Sequence, residues 1–289
     1  MVNYKTRLSN AKEKCVERHI ETARAEWLML DLFEWSKADY LMHMNDEISV
    51  SHLKMFDEAE CRMLNGEPIQ YITGKQTFYG EIFNVNKNCL IPRPETEEVM
   101  LHFYHQLKKG DTVVDVGTGS GNIPIVLKKL DSTLNVYATD LYRNALTVAK
   151  ANAQHHQVEV KFLQGDGLTP LIEQGVKVNG LISNPPYIDN DEAEMMEDTV
   201  LKYEPHSALF AANNGYKVYD TILDRLPEVL LPNAKVVFEI GFAQGPKLKE
   251  KIIAKYPTLD VQIIKDINNN DRIIAFVWKK KLCTEHGQS

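Results

Sequence analysis

From residue 112 to residue 278, short apolar runs alternate with stretches of helical period, and this alternation restricts the possible folds more than any other feature of the chain. Strands are expected at 112–116, 134–139, 158–163, 178–183 and 235–240, with helices at 123–130, 143–155, 217–231 and 246–256. A strand, a helix and a further strand return the chain in one direction. The pattern therefore predicts a doubly wound α/β fold, a parallel sheet covered on both faces with ligands at the carboxyl ends of its strands. Two last strands, 261–265 and 272–278, have only residues 266–271 between them, too few for a crossover helix, so that pair is expected to be antiparallel.

The amino-terminal part reads differently. Over residues 3–65 apolar positions such as Ala25, Leu28, Met29 and Leu32 recur at three and four residues, and nothing alternates as a strand would. Through Gln70 there are nine basic and thirteen acidic residues, so this is a mildly acidic helical unit rather than a nucleic-acid arm. Trp27, Phe33 and Trp35 are expected in its core. Residues 66–94 are punctuated by Gly66, Pro68, Gly74, Gly80, Pro92 and Pro94 between aromatics, with a hairpin expected over 77–85. The expected organisation is a small helical domain at 1–65, a linker at 66–94 and a larger domain at 95–289.

The net charge of -7 argues against nucleic-acid phosphate as a stable partner, because that requires concentrated positive charge. No apolar run approaches the roughly 18 residues of a membrane span, and the opening Met1-Val2-Asn3-Tyr4-Lys5 lacks the apolar core of a signal peptide, so a cytoplasmic location is expected. Cys15, Cys61, Cys89 and Cys283 are scattered without a C-x-x-C pair, which predicts neither a disulfide scaffold nor a structural zinc site. His102 with His105 and His155 with His156 find no third ligand in sequence. They are read as exposed helix histidines, and no metal is expected.

The first strand ends in Asp115-Val116-Gly117-Thr118-Gly119-Ser120-Gly121, with a helix after it. Glycines there admit a ligand close to the backbone, and the helix start offers free N–H groups. Asn122 stands where a dinucleotide fingerprint needs its last glycine, which disfavours a dehydrogenase. Asp140 ends the second strand, 21 residues beyond Gly119, where a carboxylate can accept both hydroxyls of a ribose. The third strand leads to Gly165-Asp166-Gly167. Either acid alone would read equally well as a helix cap. Together with the loop they suit a nucleoside ligand without pyrophosphate, of which S-adenosylmethionine is one.

The fourth strand runs into Asn184-Pro185-Pro186-Tyr187. Two prolines remove two donors and stiffen the turn, leaving its carbonyls free to accept. A planar NH2 group on a conjugated carbon fits such a site: the Asn184 oxygen takes one proton, the Pro185 carbonyl the other, and Tyr187 covers the flat face. An amide nitrogen is a poor nucleophile because its lone pair is delocalised. Acceptors that hold its protons would raise its electron density and aim the lone pair at a sulfonium methyl. No residue of the motif is an obvious general base, so none is assigned.

Gln70-Tyr71-Ile72-Thr73-Gly74, Leu90-Ile91-Pro92-Arg93-Pro94-Glu95-Thr96-Glu97, the glycine loop, Ser183-Asn184-Pro185-Pro186-Tyr187-Ile188, Phe238-Glu239-Ile240-Gly241 and Asp271-Arg272 follow one another in a way that resembles the HemK/PrmC family, methyltransferases that modify the glutamine side-chain amide of peptide chain release factors. The resemblance runs from about Gln70 to Trp278. It implies a class I S-adenosylmethionine-dependent methyltransferase fold, a doubly wound seven-stranded sheet with a small helical amino-terminal domain that recognises release factors. It also implies a substrate, the glutamine of the Gly-Gly-Gln tip of class I release factors. By motif, Gly117, Thr118, Gly119, Ser120, Gly121, Asp140, Asp166, Gly167 and Asn184 would bind S-adenosylmethionine, while Asn184, Pro185, Pro186 and Tyr187 would hold the glutamine amide. Of these Asn184, Pro185 and Tyr187 are the catalytic candidates. Arg93, Glu95 and Glu239 are further candidates without assigned roles, a monomer is expected, and Pro124 and Asn213-Asn214-Gly215 depart from the family pattern. Two rivals stand beside this reading: methylation of the exocyclic amine of adenine in DNA or RNA, which presents the same planar NH2 after base flipping, and a non-enzymatic module that binds release factors without modifying them.

Overall fold

A computed structural model of the chain describes residues 2–189 and 198–279, the side chain of Asp198 excepted, so Cys283 lies outside the described residues. Two compact units emerge. One is built on residues up to Lys75 with Val85–Lys87 and the helix ending at Tyr203; the other holds Gln76–Asn84 and most of the described chain from Asn88.

The first unit contains α1 (Tyr4–Glu17), α2 (Ala23–Phe33), α3 (Lys37–His43), α4 (Val50–Leu64) and α5 (Ile69–Thr73). Three of these helices start on a side chain that takes up a free N–H: Asn3 for α1, Ser49 for α4, and a reciprocal pair of Ser36 and Asp39 for α3. Leu8, Ala11, Leu28, Met29, Phe56 and Met63 form the core, with Phe33 and Trp35 packed on it around the Tyr4 ring. Trp27 departs from expectation. It is 51% exposed, because α2 turns Ala25, Leu28 and Met29 inward and leaves position 27 on the opposite face. Among the described residues of this unit the buried cation Arg7 bonds Asp57 and Glu60 through all three of its nitrogens, and Glu60 also receives Lys14.

In the second unit, the hairpin of β1 (Lys75–Phe78) and β2 (Glu81–Asn84) precedes α6 (Pro94–Tyr104). Then follow β3 (Thr112–Val116), α7 (Asn122–Leu130), β4 (Asn135–Asp140), α8 (Arg143–His155), β5 (Lys161–Gln164), α9 (Thr169–Glu173) and β6 (Val178–Ser183). α10 (Asp198–Tyr203) belongs to the helical unit. It is followed by α11 (His206–Leu209), α12 (Lys217–Val229), β7 (Leu230–Glu239), α13 (Gly245–Lys255), β8 (Gln262–Lys265) and β9 (Asp271–Val277).

Seven strands form one sheet in the order β5-β4-β3-β6-β7-β9-β8. Five are parallel, and β9 runs antiparallel to both of its neighbours. Residues alternate between two buried faces. Val113, Ile182, Val237 and Ile273 meet α6 and α7, whereas Val114, Leu181, Val236, Phe238 and Ile274 meet α12 and α13. The chain lays β3, β4 and β5 outward on one side, then returns to lay β6 on the other side of β3. A crevice opens at that reversal, at the carboxyl ends of the strands.

Local differences from the sequence expectation have physical reasons. β5 starts at Lys161 rather than 158, since pairing to β4 begins at Tyr137 opposite Lys161, while Val158 and Val160 pack onto the apolar core instead. α12 ends at Val229 and passes directly into β7. Pro227 lies in its last turn and cannot bond the Leu223 carbonyl, which the Tyr256 hydroxyl takes up at 2.6 Å. Pro124 is tolerated in the first turn of α7, where backbone N–H groups lack intrahelical partners anyway. His156 is not an exposed histidine. Its side chain is 6% exposed, with Nε2 2.9 Å from the Ile82 carbonyl of β2 and its ring against Phe83.

Gly180, in the middle of β6, lies against α6: a Cβ there would stand 2.6 Å from the Phe103 ring and 3.1 Å from Leu107. Gly180→Ala is expected to destabilise the sheet unit by about 1–3 kcal/mol through overpacking, read as a lower urea midpoint. Adding Phe103→Leu should recover part of that loss.

Candidate active site

The glycine loop after β3 is held from three sides. The Thr139 carbonyl accepts from both Gly117 N–H and Thr118 N–H, at 2.9 and 3.0 Å. Gly119 N–H donates to Asp140 Oδ2 at 2.9 Å. Asn152, fully buried on α8, donates to the Ser120 carbonyl at 2.9 Å and, with the same Nδ2, to the Asn84 carbonyl of the hairpin at 2.9 Å. Gly121 must be glycine twice over, since its φ is +80° and a Cβ would sit 3.0 Å from that of Ala149 on α8.

Asp140 does not cap α8, whose N-cap is Tyr142, but it holds the backbone on two sides. Its Oδ1 accepts from Tyr142 N–H at 2.9 Å at the entry to α8, while Oδ2 steadies the loop. A carboxylate has about four acceptor positions, so two remain for a ligand. Burial raises its pKa against the pull of these two N–H groups.

These elements wall a cavity of about 310 Å³ over the carboxyl ends of β3, β4 and β6. Gly117, Thr118, Gly119, Ser120, Asp140, Asp166, Gly167, Asn184, Pro185 and Pro186 all line it. Gly121 does not, because it is turned beneath α8, and neither does Tyr187. The Tyr187 ring packs on the apolar core beside Tyr219 and Phe238, where burial and the nearby Glu239 push its pKa to about 12. Its carbonyl accepts from Gln244 Nε2 at 2.8 Å and lies against Gly215, where a Cβ would approach that oxygen to 2.0 Å. The left-handed run Asn213-Asn214-Gly215, with φ of 61°, 56° and 78°, is therefore what lets the chain pass behind the double-proline turn.

Asn184 emerges from β6 with its amide already engaged on one side. Nδ2 donates to Thr96 Oγ1 at 3.1 Å, and the Thr96 hydroxyl donates to Glu239 Oε2 at 2.6 Å. Among the described residues nothing donates to Asn184 Oδ1 or to the Pro185 carbonyl. Burial pushes the Glu239 carboxyl up to about 7, opposed by Thr96, Arg272 and Arg93. Arg93 pairs not with Glu95 but with the buried carboxylate of Glu204, which also accepts from Ile91 N–H at 3.3 Å. Thr96, Asn152 and Glu204 were not singled out from the sequence. Thr96 stands inside a quoted string, but its partner is 88 residues away.

Beneath the loop, neither carboxyl oxygen of Asp115 nor the hydroxyl of Thr118 has a hydrogen-bond partner among the described residues. Burial pushes Asp115 to about 7, the nearby Thr118 hydroxyl acting against the shift and Asp140 adding to it. Two acids at neighbouring strand ends, Asp140 and Asp166, line the cavity beside a loop of glycines and the unpartnered Thr118 hydroxyl, an acceptor-rich wall suited to a cationic nucleoside such as S-adenosylmethionine.

Two family models match the chain: PrmC N-terminal domain over residues 7–74 and Methyltransferase small domain over residues 96–222. Among curated relatives, the release factor glutamine methyltransferase of Staphylococcus aureus is 52% identical over 96% of this chain and 100% of its own length. That of Enterococcus faecalis is 41% identical over 86% of this chain and 89% of its own, and that of Bacillus subtilis 39% over 90% and 93%. A solved methyltransferase from Pyrococcus furiosus superposes with a TM-score of 0.53 at 16% identity, covering 78% of this chain and all of that one, which shows the fold. The seven-stranded sheet is that of a class I methyltransferase, and the helical amino-terminal unit matches the PrmC N-terminal domain.

Asp115 makes the stability of the free protein depend on pH. Unfolded, the acid ionises near its ordinary 3.8; folded, it stays protonated to about 7. The folded state thus binds the extra proton, and stability falls as pH rises through that window. Asp115→Asn is expected to stabilise the free protein by about 2–4 kcal/mol at pH 8 and to have little effect at pH 4. Thermal unfolding of both proteins at the two pH values checks this; an equal shift at both would count against it.

Proposed function

The chain belongs to the release factor glutamine methyltransferase family, and from the geometry of its site we infer how it methylates the side-chain amide of a release factor glutamine. The observation that carries this reading is the Asn184 amide, anchored through Nδ2 with Oδ1 left for the cavity beside the Pro185 carbonyl. The methyl donor is S-adenosylmethionine, which supplies an electrophilic sulfonium methyl when bound.

The loop residues Gly117, Thr118, Gly119 and Ser120, with Asp140, hold this donor, Asp140 accepting the ribose hydroxyls with the acceptor positions its backbone bonds leave free, while Gly121 closes the loop against α8. Asp166 and Gly167 flank the adenine. Asn184 Oδ1 and the Pro185 carbonyl accept the two hydrogens of the incoming glutamine NH2, which turns its lone pair towards the methyl group and raises its electron density. Pro186 keeps that turn rigid, and Tyr187 braces it from behind by packing in the core. The largely apolar lining of the cavity suits a transfer in which positive charge passes from sulfur to nitrogen and is spread over both in the transition state. No side chain need take the proton, which leaves to water after transfer.

The substrate is the glutamine of the Gly-Gly-Gln tip of class I release factors, and the helical domain at 1–65 recognises the rest of that protein. A cytoplasmic monomer without stable nucleic-acid binding completes the reading, supported by a net charge of -7. No described helix is long and apolar enough to cross a membrane. Methylation of adenine is not favoured, since the relatives are named for glutamine.

Two substitutions separate the roles. Asn184→Ala should leave calorimetric affinity for S-adenosylmethionine within about threefold while removing most methylation of a release factor, followed by mass spectrometry of its tip. A loss of cofactor binding in proportion to rate would show that Asn184 serves the cofactor instead. Asp140→Ala should weaken cofactor binding by about 1–3 kcal/mol, and unchanged binding would remove it from the site.

A further inference from the structure

Thr96, Glu239 and Asn184 come from three separate elements and meet in one short chain of hydrogen bonds. Thr96 rides on the first turn of α6, which Pro94 starts, and is 2% exposed. Glu239 is the last residue of β7 and equally buried. Asn184 follows β6, on the strand neighbouring β7.

The direction of this chain follows from counting protons. A hydroxyl has one to give, and an ionised carboxylate can only accept. With the Thr96 proton committed to Glu239 at 2.6 Å, its oxygen retains only lone pairs, and the sole end of a carboxamide that can meet them is NH2. Asn184 is thereby fixed with nitrogen inward and oxygen towards the cavity. In the reversed state, a protonated Glu239 would donate to Thr96, Thr96 would donate to the Asn184 oxygen, and an NH2 would face the incoming NH2 of glutamine. Two donors facing each other form no bond. Burial opposes the ionised acid most and Glu95 adds to it, while the Thr96 hydroxyl, Arg272 on β9 and Arg93 before α6 favour it; the Tyr219 hydroxyl bonds the Glu239 backbone carbonyl, leaving the carboxylate to Thr96.

We propose that Thr96 and Glu239 are positioning residues that set which face of the Asn184 carboxamide meets the substrate, a role that rests on the amide-holding reading of Asn184. Neither touches the reacting atoms. Their effect belongs to the transfer step and not to binding of either substrate.

The test is single-turnover methylation of an intact release factor by the full-length protein, with calorimetric affinity for S-adenosylmethionine and KM for the release factor measured alongside. Thr96→Val keeps the shape and removes the hydroxyl; the rate should fall about 100-fold with both affinities within about threefold. Thr96→Ser restores the hydroxyl and should keep about a third of the rate or more. Glu239→Gln fills the same space and removes a buried charge, so it remains informative if Thr96→Val does not fold. Its amide NH2 donates to Thr96 and its oxygen turns to Arg272, reversing the chain, and the rate should again fall at least about tenfold at unchanged affinities. A rate within threefold of the parent in Thr96→Val or Glu239→Gln, or a serine variant as slow as the valine one, overturns the relay. Asn184→Ala separates the two layers: if it stays active, the reading of Asn184 and the relay both fall, and if it alone is slow, only the relay falls.

Discussion

A single hydrogen bond, from the Ser183 hydroxyl to the Val116 carbonyl at 2.6 Å, ties the ends of β3 and β6 where the strand order reverses. The two strands lie side by side although 67 residues separate these ends in sequence. Because they are parallel and in register, the glycine loop and the double-proline turn leave the sheet at the same level and face one crevice. Everything the site does depends on that alignment. A one-residue slip of β6 would turn Ser183 outward and carry Asn184 away from both Thr96 and the cavity.

The crevice is costly to the fold. Asp140 on its wall, Asp115 beneath the glycine loop and Glu239 behind Thr96 each have a pKa raised first of all by burial, and Asp115 has no hydrogen-bond partner among the described residues. Such an arrangement opposes folding and suits a ligand that brings positive charge. By contrast, the buried cation of the helical unit, Arg7, is bonded through all three of its nitrogens by two carboxylates, Asp57 and Glu60. Among the described residues the unpartnered buried side-chain polar atoms lie at and beneath the glycine loop, and of their residues Thr118 lines the cavity where a ligand can reach it.

Much of the sheet was legible in the sequence because its strands are buried on both faces. β3, β6 and α8 coincide with their sequence ranges to the residue. Where packing rather than period decides, the reading drifted: β5 is an edge strand that loses its first residues, and Trp27 sits on the outer face of a helix whose apolar stripe is narrow. At the site, the contiguous pieces were visible, namely the glycine loop, Asp140, Asp166 and the Asn-Pro-Pro-Tyr turn. What stayed hidden was long-range pairing. Arg93 finds its carboxylate in Glu204, 111 residues on, and no spacing rule joins Thr96 to Asn184 across 88. Tyr187 shows the same limit from the other side, since a local motif suggests a ring over the substrate while the fold turns that ring into the core.

Asn152 has a consequence for motion. Its one side chain bonds both the backbone and the side chain of Asn84 in the hairpin and the carbonyl of Ser120 in the glycine loop. A fluctuation that lifts the hairpin must also release the loop, so the two segments open and reclose as one cooperative unit. Cofactor exchange and hairpin breathing then share a clock, and a ligand that steadies the loop slows amide hydrogen exchange in β1 and β2, strands that line no part of the cavity.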